Sequence, residues 1–456
     1  MTHFPPSFVW GAAAASYQIE GAATEDGKGP SIWDMLCRKP GAIWEGHSGD
    51  VACDHYHRYP EDVALMRKIG LQAYRFSISW PRVLPDGVGK VNPAGLGFYD
   101  RLVDSLLEAG VAPYATLFHW DFPYALYCRG GWLNRDSADW FADYARVVVE
   151  ALGDRVCDWM TLNEIRVFVG MGHLDGEHAP GDKLGMPEVL RVGHHAMLAH
   201  GKAVQAIRAA SPGPCRVGWA PTTFPMIPVT ESPEDIAAAR MAMFSVVEEF
   251  AIWSNTWWLD PVFFGRYPED GLRLFGAAAP PIQPGDMETI AQPLDFCGFN
   301  IYQGSGVQAG PQGYPISVPH PVGYPKTSFN WPVTPEVLYW GPRFMYERYG
   351  VPLFITENGL ANADWVSLDG AVHDPQRIDF TRRYLLALER AIADGVDMRG
   401  YFHWSLMDNF EWANGYRERF GLVFVDYATQ QRVLKDSARW YAEVIASNGA
   451  KLHEGL

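Results

Sequence analysis

The chain has 456 residues, 48% of them hydrophobic and 20% charged, enough for one large α/β barrel or for several ordinary domains. Its 53 acidic and 37 basic residues leave a net charge of −16, which argues against nucleic acid and anionic membrane surfaces as partners. Six cysteines, at 37, 53, 128, 157, 215 and 297, show no metal-binding spacing, and residues 1–6 lack a signal-peptide pattern, so free thiols and a cytoplasmic location are expected.

Strand-like apolar runs are expected at 8–14, 73–80, 112–120, 158–164, 216–223, 294–302, 353–358 and 399–406. Helical patterns fall between and after them, at 59–69, 95–109, 137–152, 187–210, 234–254, 334–349, 375–394 and 433–447. The third is the clearest: residues 144–152 place apolar side chains at a 3.6-residue period, Asp136 and Ser137 offer caps before it, and Gly153 stops it. Eight β-then-α units with no break in composition predict a single (β/α)8 TIM barrel, one domain spanning 1–456. The connections at 15–58, 303–333 and 407–432 are long and leave strand ends, where this fold builds the mouth of its active site. The Pro- and Gly-dense stretch 309–325 reads as an ordered loop rather than a linker.

If the barrel is right, chemistry should collect where the runs end. The first is followed by Ser16-Tyr17-Gln18, the third ends at His119-Trp120-Asp121 and the fourth at Asn163-Glu164. The sixth ends at Asn300 and Tyr302, the seventh at Glu357, and the eighth leads through His403-Trp404-Ser405 to Glu411-Trp412. Gln, His, Asn, Trp and Glu are the polar and stacking inventory of a neutral sugar site, and the 18 Trp, 21 Tyr and 24 Phe supply rings for sugar C–H faces as well as for a core. Glu164 and Glu357, each at the tip of an apolar strand, supply the two carboxyl groups that cleavage of a glycosidic bond needs.

Longer stretches carry a resemblance. Phe8-Val9-Trp10-Gly11, Ser16-Tyr17-Gln18-Ile19-Glu20-Gly21, Tyr74-Arg75-Phe76-Ser77-Ile78-Ser79-Trp80-Pro81-Arg82, Ile355-Thr356-Glu357-Asn358-Gly359, Asp408-Asn409-Phe410-Glu411-Trp412 and Phe420-Gly421-Leu422-Val423-Phe424-Val425-Asp426 occur in that order. Together they resemble glycoside hydrolase family 1, the retaining β-glucosidases and related β-glycosidases, nearly end to end.

The resemblance implies that Glu357 is the nucleophile and Glu164 the acid/base, with their carboxyl groups about 5–5.5 Å apart as double displacement requires. It also implies that Arg75 and Tyr302 hold the nucleophile in its charged form, and that repulsion from Glu357 keeps Glu164 protonated until the ester forms. Gln18, His119, Trp120, Asn163, Tyr302, Glu411 and Trp412 are implied to grip the non-reducing sugar, Asn163 at its 2-hydroxyl. Trp404 would be its stacking platform and Trp331 the ring against the leaving group. Glu411 would accept from the 4- and 6-hydroxyls and repel a 6-phosphate, favouring β-glucosides over 6-phospho-β-glycosides. A cis peptide at Trp404–Ser405 is also implied, together with a small-molecule β-glycoside as partner and neither metal nor organic cofactor; a homo-oligomer is left open. One departure stands out. The proline usual after the acid/base is Ile165 here, followed by Arg166.

Other patterns read as structure. His194-His195 lies on a helical stretch, and residues 26–30 form a loop without the phosphate-binding spacing. His55 and His57 superficially resemble the histidine pair of a metal-dependent barrel hydrolase, but they follow a long loop instead of ending the first strand. A non-catalytic sugar-binding protein on a hydrolase scaffold would be expected to lack one of the two glutamates; both are present.

Overall fold

A computed structural model describes residues 4–455, apart from the side chain of Phe250. Eight strands run parallel in one sheet: β1 Val9–Ala13, β2 Ala73–Ser77, β3 Ala112–Phe118, β4 Asp158–Asn163, β5 Arg216–Ala220, β6 Cys297–Asn300, β7 Leu353–Asn358 and β8 Met398–Trp404. Their order is β5-β4-β3-β2-β1-β8-β7-β6. The ring closes between β5 and β6, where Asn300 N–H donates to Pro221 O (3.0 Å) and Thr223 N–H to Asn300 O (3.1 Å). This is the expected (β/α)8 barrel.

Every expected strand is present, shortened by a residue or more at most ends. β4, β6 and β7 are buried along their whole length, as strands covered on both faces must be. Inside the barrel, Tyr114, Met160, Phe296, Phe354 and Phe402 interlock with small residues such as Ala13 and Ala73. Gly11 is one of the small positions by necessity: a β-carbon there would sit 2.5 Å from the Phe402 ring.

Outside lie helices His55–Ile69, Pro93–Glu108, Ser137–Leu152, Met186–Ala210, Pro233–Phe244, Val337–Tyr349, Pro375–Ala393 and Asp436–Ala446. Helix Ser137–Leu152 buries Trp140, Phe141, Tyr144, Ala145, Val148, Val149 and Leu152, the face its period marks. Its expected side-chain caps are not made. Asn134 Oδ1 accepts from Asp136 N–H (3.0 Å) instead, so the turn before the helix supplies the acceptor.

Two expectations fail around β5 and β6. The helix expected over 234–254 stops at Phe244, and a separate 3-10 turn follows at Glu248–Trp253. Side chains take its last carbonyls: Ser245 Oγ donates to Met241 O (2.7 Å), Asn255 Nδ2 to Met243 O (3.0 Å) and Thr256 Oγ1 to Phe244 O (3.2 Å). The stretch 309–325 is not loop throughout. Pro315–Val318 pairs antiparallel with Ser305–Ala309, which itself pairs parallel with Met226–Pro228, giving a three-stranded sheet beside the barrel mouth.

The charged clusters outside the mouth are structural. His194 faces Tyr267 and Asp286, and His195 Nδ1 faces Trp132 O. His55 is buried against Asp62, while His57 is half-exposed between Asp54 and Glu25. All six cysteines are free thiols. Among the described residues, no helix is long and apolar enough to cross a membrane.

Candidate active site

At the C-terminal mouth of the barrel lies a cavity of about 400 Å³. Nine residues singled out from the sequence line it together: His119, Trp120, Glu164, Tyr302, Trp331, Glu357, Trp404, Glu411 and Trp412. Gln18, Arg75 and Asn163 sit behind that lining, all essentially inaccessible to solvent.

Glu357 is delivered by β7. Arg75, from β2, donates through Nη1 to Glu357 Oε1 (2.6 Å), and the Tyr302 hydroxyl donates to Oε2 (2.8 Å). Arg75 Nη2 also donates to Asn163 Oδ1 (2.6 Å), which links β2, β4 and β7 through one guanidinium. Glu164 follows β4 directly, with a left-handed backbone (φ 50°, ψ 58°) that turns its side chain off the strand path. Its Oε1 accepts from Asn300 Nδ2 (2.9 Å), which also reaches Asn163 Oδ1 (3.0 Å). Asn300 itself is held through Oδ1 by the Thr356 hydroxyl (2.7 Å).

These surroundings treat the two carboxyl groups differently. Burial, and after it the charge of Glu357, pushes Glu164 up to about 8. Burial also raises Glu357, but the Arg75 charge and the donors from Arg75, Tyr302 and Asn300 oppose it. With Arg75 and Tyr302 bonded to Glu357 and no cation among the described residues bonded to Glu164, the pair favours the proton on Glu164. Arg75 and Tyr302 thus favour the charged form of Glu357 as expected, while one expectation is adjusted: burial outweighs Glu357 in keeping Glu164 protonated.

The wall around His119, Trp404, Glu411 and Trp412 is aromatic and only partly satisfied. His119 stacks on Trp404 (5.8 Å, 21°), and Trp120 packs on Trp412 (4.5 Å). Burial and the nearby Arg75 charge keep His119 neutral; its Nε2 accepts from Asn163 Nδ2 (3.0 Å), and its Nδ1 has no partner. Gln18 Nε2 donates to Asn409 Oδ1 (3.0 Å) and Phe410 O (2.8 Å), leaving Oε1 enclosed without a partner. Glu411 Oε2 is likewise enclosed and unpartnered. Unpaired buried polar atoms are costly in isolation, and three of them around one cavity fit a ligand rich in hydroxyl groups.

Burial, and after it the charges of Glu357, Glu418 and Glu164, push Glu411 up to about 8, which favours its protonated form. The peptide Trp404–Ser405 is cis, as the resemblance implied.

The structure adds residues that the strand ends alone do not reveal. Asn300, already marked by its place at the end of the sixth run, gains a role: its amide bonds Glu164, and Thr356 beside Glu357 holds it. His178, Thr223, Phe329 and Phe420 also line the cavity, and all but Thr223 come from long loops without periodicity. Tyr302 and Trp331 pack together (5.2 Å), with Phe420 beside both.

A parallel barrel whose C-terminal mouth joins two glutamates under aromatic walls has the architecture of a two-carboxylate glycosidase. The chain belongs to glycosyl hydrolase family 1, whose model matches residues 1–450. It is 46% identical over 456 residues to a 1,4-beta-D-glucan glucohydrolase of Thermotoga neapolitana, covering 98% of this chain and 99% of that one. It is 40% identical to the aryl-phospho-beta-D-glucosidase BglC of Bacillus subtilis, covering 98% of each. Among solved structures it is similar to the beta-glucosidase of Thermotoga maritima in complex with glucoimidazole (TM-score 0.90, 44% identity, 98% of this chain and 100% of that one).

Proposed function

We propose that this chain is a retaining β-glucosidase, releasing terminal non-reducing β-D-glucosyl residues from β-glucosides and from short β-gluco-oligosaccharides such as cellulose fragments. The observation that carries this reading is the asymmetry of the glutamate pair: one cavity holds Glu357 clamped by Arg75 and Tyr302, and Glu164 pushed up to about 8. In the first step Glu357 attacks the anomeric carbon while Glu164 gives its proton to the departing oxygen, leaving a glycosyl ester and a free alcohol. In the second, Glu164 takes a proton from water, whose oxygen displaces Glu357, so both carboxyl groups return to their starting forms. Two inversions give net retention.

The same reading assigns sugar recognition to Gln18, His119, Trp120, Asn163, Tyr302, Glu411 and Trp412, stacking to Trp404 and leaving-group contact to Trp331. The unpartnered Gln18 Oε1, His119 Nδ1 and Glu411 Oε2 support it. The chemistry proposed requires neither metal nor organic cofactor. We also infer a single domain over 1–456, supported by a family match to residues 1–450, and a cytoplasmic location, supported by the free thiols.

A 6-phospho-β-glucosidase is the alternative. It is disfavoured because the charged groups that act on Glu411 are the carboxyls of Glu357, Glu418 and Glu164, and the one Lys or Arg among the described lining residues, Arg166, lies beside Glu164 instead. Turnover of 4-nitrophenyl β-D-glucoside, with its 6-phosphate as competitor and the product anomer read by NMR, tests the reading. The expected product is β-glucose; an α product or preference for the phosphate overturns it.

A further inference from the structure

Four arginines are almost wholly buried: Arg75, Arg82, Arg166 and Arg377. Three are paired, Arg75 with Glu357, Arg82 with Glu20, and Arg377 with Asp364 and Asp374. Arg166 is the exception. It is 6% exposed and lines the catalytic cavity two residues after Glu164. Its Nη1 donates to two neutral oxygens, Trp253 O (2.7 Å) and Asn255 Oδ1 (3.0 Å), and its Nε is enclosed without a partner. No carboxylate among the described residues forms an ion pair with it. Burial draws Arg166 down to about 10, and the acidic group that opposes this is Glu164, which burial itself pushes toward its neutral form. A buried guanidinium without an anion is unfavourable unless something else supplies the charge.

We infer that Arg166 makes the leaving-group side of this cavity a receptor for a carboxylate, so that the enzyme favours β-glucosides of aromatic acids over those of neutral phenols. The inference rests on the β-glucosidase reading, in which groups beyond the proton-donating Glu164 face the departing part of the substrate. Its aromatic half follows from the walls. Phe224 and Trp253 flank Arg166, and these three also border an adjoining chamber of about 360 Å³, which gives a flat ring an apolar slot with a cation inside it. Apart from the catalytic pair and Glu411, the acids lining these two spaces are Glu177 in the cavity and Glu249 in the chamber, and both are exposed and solvated, so they oppose an anion weakly.

The test compares 4-carboxyphenyl β-D-glucoside with 4-carbamoylphenyl β-D-glucoside, which has the same shape without the charge. The carbamoyl phenol is the better leaving group, so chemistry alone favours the neutral compound. The inference expects kcat/KM about tenfold higher for the carboxylate, expressed in KM. It also expects the preference to vanish in Arg166→Met and to persist, reduced, in Arg166→Lys. Equal or reversed preference in the unaltered enzyme overturns the inference while leaving glucosidase activity standing, and so does a preference that survives in Arg166→Met. Failure to hydrolyse either compound overturns both readings. The comparison in the unaltered enzyme decides the matter even if a variant does not fold.

Discussion

The Tyr302 hydroxyl donates to Glu357 Oε2 at 2.8 Å while Arg75 holds Oε1, so each oxygen of this carboxylate has its own donor. Both donors favour the charged form. Tyr302→Phe removes one of them and is expected to lower kcat by about 10- to 100-fold. Because a lost donor raises the pKa of Glu357, the acidic limb of the pH–rate profile should move to higher pH. A profile of kcat/KM for the variant checks this; an unmoved acidic limb would sink it.

The proton on Glu164 is needed for leaving-group departure, and its folded value is pushed up to about 8. Activity should therefore fall as pH rises through about 8, and fall again at low pH as Glu357 takes a proton. In Glu357→Gln the charge opposing ionisation of Glu164 is gone, and its pKa should drop. The drop should be partial, because burial is the larger cause. Carbon-detected titration of labelled glutamate measures it, and no change would remove the proposed coupling.

Glu164→Ala should lose most activity on glucosides with poor leaving groups and far less on dinitrophenyl glucoside. Added azide should restore turnover and yield a β-glucosyl azide. Glu357→Gly should abolish hydrolysis while circular dichroism stays unchanged. Persistent hydrolysis in the latter would assign the nucleophile elsewhere.

Burial, with the carboxyls of Glu357, Glu418 and Glu164, pushes Glu411 up to about 8 from an ordinary 4.5. A raised value means that the folded protein holds a proton the unfolded chain releases. Its stabilising contribution is thus full below about 4.5 and is lost as pH climbs through about 8. Glu411→Gln removes that dependence. Its Tm should exceed that of the parent by about 1–3 °C at pH 8.5, with a smaller gain at pH 5. Equal shifts at both values would contradict the assignment.

Ile165 is the first residue of the short helix Ile165–Val169. That is the helical position where proline fits best. Ile165→Pro should keep the fold, but the ring constrains the backbone of the preceding Glu164, now at φ 50° and ψ 58°. The expected change is about tenfold in kcat on poorly activated glucosides, with a shifted ratio of transglycosylation to hydrolysis. Identical kinetics would make the substitution neutral.

The barrel was legible because its strands are contiguous apolar runs and its outer helices carry a clean period, as Ser137–Leu152 does. Glu164, Glu357, His119 and Tyr302 were legible for a related reason: strand ends are fixed points of this fold, so adjacency in sequence becomes convergence in space. The raised pKa of Glu411 was not, because it arises from burial first and then from three other carboxyl groups, at 357, 418 and 164, which only the fold brings together. Nor was the isolation of Arg166, since only coordinates reveal that Trp253 and Asn255 offer it carbonyls instead of a charge. His178 and Phe329 sit on loops whose paths no local pattern encodes.

Asn300 serves two purposes at once. Its backbone stitches β6 to the segment that follows β5, and its amide aims Glu164. A molecule that has collapsed but not yet zipped this joint would have every active residue and no aligned proton donor. Catalytic competence should then emerge during refolding only once β5 and β6 are joined, which makes the onset of turnover a clock for closure of the cylinder.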